Sequence, residues 1–248
     1  MAAKHVILVR HGESCAQLFS MSQRRNANGD AALADQLRDP YLSELGVQQA
    51  LDLSGRWAYE GVSPALVVAS PLSRALQTAQ ILFPFTEAGA PVIVVHPALR
   101  ETPPGGANKV GRATQPECMG RPVEDLQRDT QLQRQGVRSS SNVDWSLMPD
   151  ATLGPWWSEL VETPEDVEAR LNIFCSWLEQ RPESLVVVVC HFNIIQCLLA
   201  LRRLKVQNCS PIACHVEGRK WQCLEPAESL EEHAARGVKG DGLEAQEA

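Results

Sequence analysis

The sequence predicts an α/β fold with a mostly parallel central sheet and helices on both faces. Four short apolar runs have the length and the aliphatic composition of buried strands, and helix-like segments alternate with them. These runs lie at Val6–Val9, Leu66–Ala69, Val92–Val95 and Val186–Val189. Because strands that alternate with helices usually form parallel sheets, this order predicts a sheet covered on both sides.

The length of the chain, 248 residues, suits one α/β domain with a large core. We expect one folded domain over residues 1–224, with a lid-like irregular stretch at about 102–160, followed by a flexible acidic tail at 225–248. The tail is rich in Glu, Ala and Gly and has no large apolar face. The lid stretch is rich in Pro, Gly and Ser, and a long irregular segment inside a compact domain usually has a functional role.

Capping residues and apolar spacing predict the helices. Ser43 is the predicted N-cap of a helix that ends near Gly61. Thr163 and Pro164 begin another helix, which ends before Pro182. The apolar positions predicted to be buried in this helix are Val167, Leu171, Phe174 and Leu178.

The end of the domain is predicted to contain one more helix and a hairpin. The helix extends from Asn193 to about Leu204, directly after the fourth strand. Residues 213–224 form the predicted hairpin, which turns at Glu217 and Gly218.

Each of the four predicted strands is followed by a residue suited to phosphoryl transfer. The first run leads into Arg10 and His11, and the second leads into a helix that carries Arg74. Glu101 follows the third run, and His191 follows the fourth. Open α/β folds place ligand sites at the carboxyl edge of the sheet, so we expect these side chains to converge. A guanidinium matches phosphate oxygens in pairs, and a neutral imidazole is a competent nucleophile.

Together these segments resemble the histidine phosphatase superfamily, also called the phosphoglycerate mutase-like family. The matching motifs are RHGE at 10–13, SPLSRALQTA at 70–79, LRE at 99–101, CH at 190–191 and DPYLSELGVQQA at 39–50. The resemblance extends from residue 5 to about 223. It implies a phosphomonoester hydrolase that uses neither a metal ion nor another cofactor.

The resemblance also implies a role for each of the five residues. His11 attacks phosphorus and becomes a phosphohistidine, which divides one displacement into two easier ones. Glu101 protonates the leaving alkoxide and then helps to deprotonate the attacking water. Arg10, Arg74 and His191 hold the phosphate oxygens and offset charge in the transition state.

Other residues near the motifs have more than one interpretation. Ser14 and Gln17 are candidate phosphate-binding residues, and a solvent-facing position is equally consistent with the sequence. Glu13 is an alternative proton donor, although a structural acceptor role is favoured. Phe192 occupies a position where relatives often carry Gly or Ser, and its ring either narrows the pocket or points towards the lid.

Basic residues of the lid are candidates for contacts with the non-phosphate part of a substrate. They are Lys109, Arg112, Arg121 and Arg128, and each is also consistent with a solvated loop charge. We expect the lid tryptophans to anchor it on the core.

Two other functions stay open at this stage. A phosphoglycerate-type mutase would share the motifs, but mutases follow LRE with Arg-x-Tyr-Gly, and this chain has TPPGGANKVGR at 102–112. A non-catalytic phosphate-binding module would have lost turnover, although all five key residues are present. The expected partner is a small phosphorylated substrate or a phosphoprotein, and the sequence makes no prediction of oligomeric state.

Composition argues against several classes of partner. The net charge of −7 disfavours nucleic acid or an anionic membrane as the main partner. No apolar run approaches the length of a membrane span, and MAAKHVILV lacks the features of a secretory signal. The eight cysteines include no CxxC pair, so we expect reduced thiols, no metal site and a cytoplasmic protein.

Overall fold

A computed structural model describes residues 3–19, 23, 30–61, 63–84, 91–103, 110–134, 142–201 and 203–224. The predicted tail at 225–248 and the candidate Lys109 lie outside the described residues.

Seven strands form one mixed sheet. They are β1 (Lys4–Arg10), β2 (Leu66–Ala69), β3 (Ile93–Val95), β4 (Val143–Asp144), β5 (Leu185–Cys190), β6 (Pro211–Glu217) and β7 (Lys220–Cys223). Their order across the sheet is β4-β3-β2-β5-β1-β6-β7. The first five strands of that order pair in parallel, while β6 and β7 pair antiparallel at one edge. The predicted mostly parallel sheet is confirmed, and so is the terminal hairpin.

The helices among the described residues include two long ones and five short ones. They are α1 (Ala31–Leu37), α2 (Glu44–Glu60), α3 (Ser73–Leu82), α4 (Val123–Arg128), α5 (Thr130–Arg134), α6 (Pro164–Glu179) and α7 (Phe192–Leu198). Ser43 caps α2 by accepting from the backbone N–H of Gly46 at 3.1 Å, and Gly61 follows the helix with a φ of 70°. Thr163 and Asp166 form a capping box at the start of α6. Both predicted helix starts are therefore confirmed.

The central strands are buried on both faces, as their continuous apolar runs predict. Val6 and Leu8 of β1 pack with apolar residues of α6 and α7. Ile7 and Val9, on the opposite face, pack with those of α2 and α3. Alternate residues of one strand thus belong to two different cores, which fixes the position of the strand relative to both helix layers.

The predicted helix over residues 193–204 is shorter in the structure, where α7 ends at Leu198. Ala200 adopts the left-handed conformation with a φ of 54°, and the N–H of Leu201 donates to the carbonyl of Gln196 at 3.0 Å. These contacts form a Schellman-type helix end, usually associated with glycine. The sequence prediction was wrong here because an alanine takes the position at which glycine gives the usual signal.

The lid stretch is more regular than the sequence predicts. It contributes β4 to the edge of the sheet and also contains α4 and α5. Trp156 is buried in the core, and its indole N–H donates to the carbonyl of Arg121 at 2.8 Å. A Cβ atom at Gly120 would lie 2.1 Å from the Trp156 ring, so only glycine allows this packing. Trp145 and Trp157 also pack against the core, in agreement with the predicted anchoring role.

Within the described ranges, no helix has both the length and the apolar character that crossing a bilayer requires.

Candidate active site

The five predicted residues converge at the carboxyl edge of the sheet. Arg10 is the last residue of β1, and His191 directly follows the neighbouring parallel strand β5. Arg74 lies in the first turn of α3, just beyond the end of β2. His11 and Glu101, with the two arginines, line one pocket, and the His191 ring lies 5.0 Å from the His11 ring, centroid to centroid.

The His11 ring is held in one orientation by contacts at both nitrogens. Nδ1 lies 2.6 Å from the carbonyl oxygen of Gly12, so this nitrogen carries the proton in the neutral ring. Nε2 then accepts a hydrogen bond from Nε of Arg74 at 3.2 Å. Only 4% of His11 is exposed, and burial together with the charge of Arg74 lowers its pKa well below the ordinary value.

The loop after His11 is packed between α2 and α3. A Cβ atom at Gly12 would lie 2.4 Å from the carbonyl oxygen of Gly46 in α2, so the two backbones approach too closely for any side chain. The N–H of Gly12 donates to Oγ1 of Thr78 in α3 at 3.0 Å. The N–H of Ser43 donates to the carbonyl of Glu13 at 2.9 Å. These contacts orient His11. The close approach of the two backbones also explains why glycine occupies position 12 in the first motif and position 46 in the motif at 39–50.

Each of the two arginines is oriented by a backbone carbonyl. Arg74 is 3% exposed and donates from Nη1 to the carbonyl of Glu117 at 2.8 Å. Arg10 donates from Nη1 to the carbonyl of Val206 at 2.8 Å, and its guanidinium lies 5.3 Å from the Phe192 ring centre. The sequence left two positions open for the Phe192 ring, one that narrows the pocket and one that points towards the lid. The ring lines the pocket, which agrees with the first of these.

His191 is fully buried beside His11. Its Nε2 lies 2.8 Å from Oγ of Ser70, the residue that directly follows β2. Burial, with the nearby charge of Arg74, lowers the pKa of His191 well below the ordinary value. His191 is therefore neutral at neutral pH.

Glu101 borders the pocket and is half-buried as a residue. Its Oε1 accepts from the N–H of Thr102 at 2.9 Å, and the N–H of Asn193 also donates to its carboxyl group. Burial raises the pKa of Glu101, although Arg74 and these hydrogen bonds oppose the shift. A raised pKa favours the protonated form, which is the form that donates a proton.

The pocket has a volume of about 330 Å³. Ser14 and Gln17 both line it, so both remain candidates for phosphate contacts. Gln17 contacts Asn208, whose side-chain N–H donates to the carbonyl of His11 at 2.7 Å. Within the described ranges, no three His, Cys, Asp or Glu side chains are grouped so that they could hold a metal ion.

Several residues of the site were missed by sequence reasoning. Ser70 lies inside a matching motif, and Asn193 lies two residues beyond His191. Asn208 and Glu117 come from loops remote in sequence, where no pattern marks them. Residues of the lid reach the site through the contact between Arg74 and the Glu117 carbonyl.

Other predicted candidates do not contribute to the pocket. Arg121 does not line the pocket, and it forms ion pairs with Asp39 at 3.0 Å and with Asp129 at 2.7 Å, so it is not the solvated loop charge that was the other interpretation. Arg121 also donates to Oγ of Ser73 at 2.6 Å, and Asp39 accepts from the backbone N–H of Ser73 at 2.7 Å, so these contacts attach the lid to the start of α3. Arg112 and Arg128 are exposed and do not line the pocket.

Glu13 likewise does not line the pocket. Its carboxylate accepts a hydrogen bond from Oγ of Ser43 at 2.8 Å. It therefore has the structural acceptor role that the sequence favoured.

Comparison with solved structures gives the same fold. Ecdysone phosphate phosphatase of Bombyx mori, in complex with tungstate, is 19% identical, with a TM-score of 0.56 and coverage of 90% of this chain and 92% of that chain. The alpha-ribazole phosphatase of Shigella flexneri is 18% identical, with a TM-score of 0.52 and coverage of 89% and 94%. A mycobacterial glucosyl-3-phosphoglycerate phosphatase in complex with VO3 is 23% identical, with a TM-score of 0.51 and coverage of 89% and 96%.

Comparison of the sequence with curated proteins gave no significant match. The family profile described as "Histidine phosphatase superfamily (branch 1)" matches residues 6–229, which is nearly the whole chain. The match includes every motif whose residues converge at the sheet edge. The protein therefore belongs to branch 1 of the histidine phosphatase superfamily, a family of phosphatases and phosphotransferases.

Proposed function

We propose that the protein is a metal-independent phosphomonoester hydrolase that acts through a phosphohistidine on His11. The observation that carries this proposal is the 2.6 Å contact between Nδ1 of His11 and the carbonyl oxygen of Gly12. The carbonyl of Gly12 accepts a hydrogen bond from Nδ1–H, so the ring proton stays on Nδ1 and the lone pair is on Nε2. Because burial lowers the pKa of His11, that lone pair is present at neutral and mildly acidic pH. A buried neutral imidazole with a fixed lone pair is an activated nucleophile.

The first chemical step forms the bond between Nε2 of His11 and phosphorus as the bond from phosphorus to the leaving oxygen breaks. Glu101 gives its proton to that oxygen, so the leaving group departs as an alcohol. In the second step a water molecule attacks phosphorus and gives a proton to Glu101. The nitrogen–phosphorus bond then breaks, which releases phosphate and restores neutral His11.

Charge on the transferring group is balanced by protein donors. Arg10 and Arg74 supply guanidinium N–H groups, and their contacts with the carbonyls of Val206 and Glu117 orient them before substrate binds. His191 supplies an additional donor. Such cationic side chains do the work that a metal ion does in other phosphatases, so we expect no metal requirement.

The proposed substrate is a small phosphomonoester, with a phosphoprotein as the alternative. A pocket of about 330 Å³ is large enough for a phosphate group and a compact leaving group. The similar structures are an ecdysone phosphate phosphatase, an alpha-ribazole phosphatase and a glucosyl-3-phosphoglycerate phosphatase. Since these leaving groups differ widely, the fold leaves the choice of substrate to the residues around the pocket. We also propose that residues 1–224 form the catalytic domain.

Two measurements test this proposal. The first is hydrolysis of an aryl phosphate by the purified protein in excess EDTA. In the second, the protein reacts with a substrate whose phosphoryl group is labelled, and the reaction is quenched rapidly without acid. We expect full activity in EDTA and a phosphoryl group on His11 that is labile to acid. His11→Ala should abolish both turnover and labelling, whereas His215→Ala, a half-exposed histidine of β6, should retain both.

Three results would contradict the proposal. Activity that EDTA removes and a divalent ion restores would show a metal requirement. Label on a Ser, Cys or Asp would identify another nucleophile. Label that passes to a second substrate hydroxyl, with little free phosphate, would indicate a mutase.

A further inference from the structure

The two nitrogens of the His191 ring have different surroundings. Nε2 lies 2.8 Å from Oγ of Ser70, and both residues are fully buried. Nδ1 is also buried, and it has no hydrogen-bond partner in the part of the chain that the structure describes. A buried polar atom without a partner is costly, so it indicates a group that is reserved for a ligand.

The contacts of Ser70 determine which way the hydrogen bond to His191 points. Oγ of Ser70 accepts from the backbone N–H of Leu72 at 3.3 Å. The hydroxyl proton is then available for one acceptor, and Nε2 of His191 is the acceptor within reach among the described residues. Ser70 therefore donates to Nε2, and the proton of the neutral imidazole lies on Nδ1.

The other two protonation states leave hydrogens without acceptors. If Nε2 carried the ring proton, both it and Leu72 would donate to Ser70, whose own proton would be unsatisfied in a buried place. The imidazolium form would have the same defect. It is also opposed by burial and by the neighbouring charges of Arg74 and Arg10, which lower the pKa of His191.

We infer that Ser70 is a positioning residue that holds His191 as the neutral tautomer with its proton on Nδ1. This N–H is thereby kept as a donor for an oxygen of the transferring phosphoryl group, a role that rests on the proposed function. His11 has the same tautomer for a different reason, since the Gly12 carbonyl accepts from its Nδ1. One histidine thus presents a lone pair to phosphorus, and its neighbour presents a donor to the phosphate.

Nitrogen-15 NMR of the histidine side chains in the intact wild-type protein tests the tautomer directly. The chain has six histidines, and loss of one signal set in His191→Asn assigns the relevant ring. We expect a protonated Nδ1 and an unprotonated Nε2 at neutral pH. A proton on Nε2, or an imidazolium ring, would overturn the inference whether or not the protein hydrolyses phosphate esters.

Ser70→Ala tests the consequence for anion binding, with orthovanadate as the probe. Removing the hydroxyl should abolish the preference for the tautomer with the proton on Nδ1, because no group then donates to Nε2. We expect the ring proton to move partly or wholly to Nε2 and the vanadate dissociation constant to rise by about 10- to 100-fold. Ser70→Thr keeps the hydroxyl and should restore both the tautomer signal and the binding.

Ser54→Ala is the matched control, because it removes a hydroxyl that donates to the carbonyl of Leu82, in the packing between α2 and α3. It should leave vanadate binding and the His191 signals unchanged. A Ser70→Ala protein with the wild-type tautomer and wild-type vanadate affinity would refute the positioning role. Correct NMR signals in a protein without phosphatase activity would refute the proposed function and leave the tautomer assignment intact.

Discussion

Arg74 donates from Nε to Nε2 of His11 over 3.2 Å, so the guanidinium lies where the imidazole lone pair is directed. An imidazole nitrogen has a single lone pair in the ring plane, and a phosphorus atom under attack needs that same direction. Under the proposed function, substrate binding would therefore move the Arg74 N–H from His11 to a phosphate oxygen. In the unliganded site this contact keeps the His11 ring oriented, and in the proposed mechanism the incoming phosphate would replace it with a stronger charge-assisted hydrogen bond to Arg74.

Arg74→Lys should slow the hydrolysis of all phosphomonoesters to a similar extent. A lysine supplies a point charge but does not reproduce the donors that Arg74 directs at His11 and at the Glu117 carbonyl. We expect kcat/KM to fall by about 100-fold for both an aryl and an alkyl phosphate. Arg112→Lys, at an exposed position outside the pocket, is the control and should have no effect. A loss confined to the alkyl phosphate would contradict the assignment of Arg74 to the phosphate.

Glu101→Gln should separate substrates by their leaving groups. An alkoxide of high pKa needs a proton as it departs, whereas an activated phenolate does not. We expect kcat for an alkyl phosphate to fall by about 100- to 10,000-fold and that for an aryl phosphate to change little. The matched variant Glu13→Gln should affect the two substrates equally, because Glu13 contacts Ser43 outside the pocket. Equal losses in Glu101→Gln would mean that another group is the acid.

The dependence of rate on pH follows from two opposite pKa shifts. The proposed reaction needs neutral His11 and protonated Glu101, and at the ordinary pKa values of 6.5 and 4.5 these forms would barely coexist. Burial lowers the pKa of His11 and raises that of Glu101, so both required forms are present over a wider range of pH. We expect a bell-shaped profile for an alkyl phosphate, in which the fall at high pH reflects ionisation of Glu101.

Measurement of kcat for this substrate, from about pH 4 to about pH 9, checks that profile. The fall at high pH should disappear in Glu101→Gln. Its persistence in that variant would assign it to a different group.

Stability should fall as the pH drops below 6.5, partly because of His96. Burial lowers the pKa of His96 to about 4, and its Nδ1 accepts from the N–H of Ala98 at 3.2 Å. The unfolded chain then binds a proton that the folded chain rejects, so the free energy of unfolding decreases with falling pH. Between pH 6.5 and about pH 5 this amounts to about 2 kcal/mol from His96 alone, and His11 and His191 add to it in the same direction.

Urea unfolding at several pH values measures this dependence. His96→Asn keeps an acceptor for Ala98 but does not titrate, so its free energy of unfolding should lose about 2 kcal/mol less over the same interval. An identical pH dependence in the two proteins would show that His96 does not resist protonation.

The sequence by itself determined the strands, the main helix starts and the identity of the five convergent residues. These features depend on local physical chemistry: continuous apolar runs for strands buried on both faces, and Ser43 and Thr163 as caps. The rule that carboxyl ends of parallel strands meet at one edge then brings Arg10 and His191 together without knowledge of any contact.

Only the tertiary structure decided how those residues are protonated and what holds them. Arg121 and Arg74 are both basic residues of the matching region or the lid. Arg121 forms ion pairs with Asp39 and Asp129, whereas Arg74 donates a hydrogen bond to His11. The pKa shifts of His11 and Glu101 arise from burial, and the tautomers arise from partners such as Ser70 and the Gly12 carbonyl. Desolvation and hydrogen-bond direction depend on atoms from several distant segments, so no local pattern in the sequence encodes them.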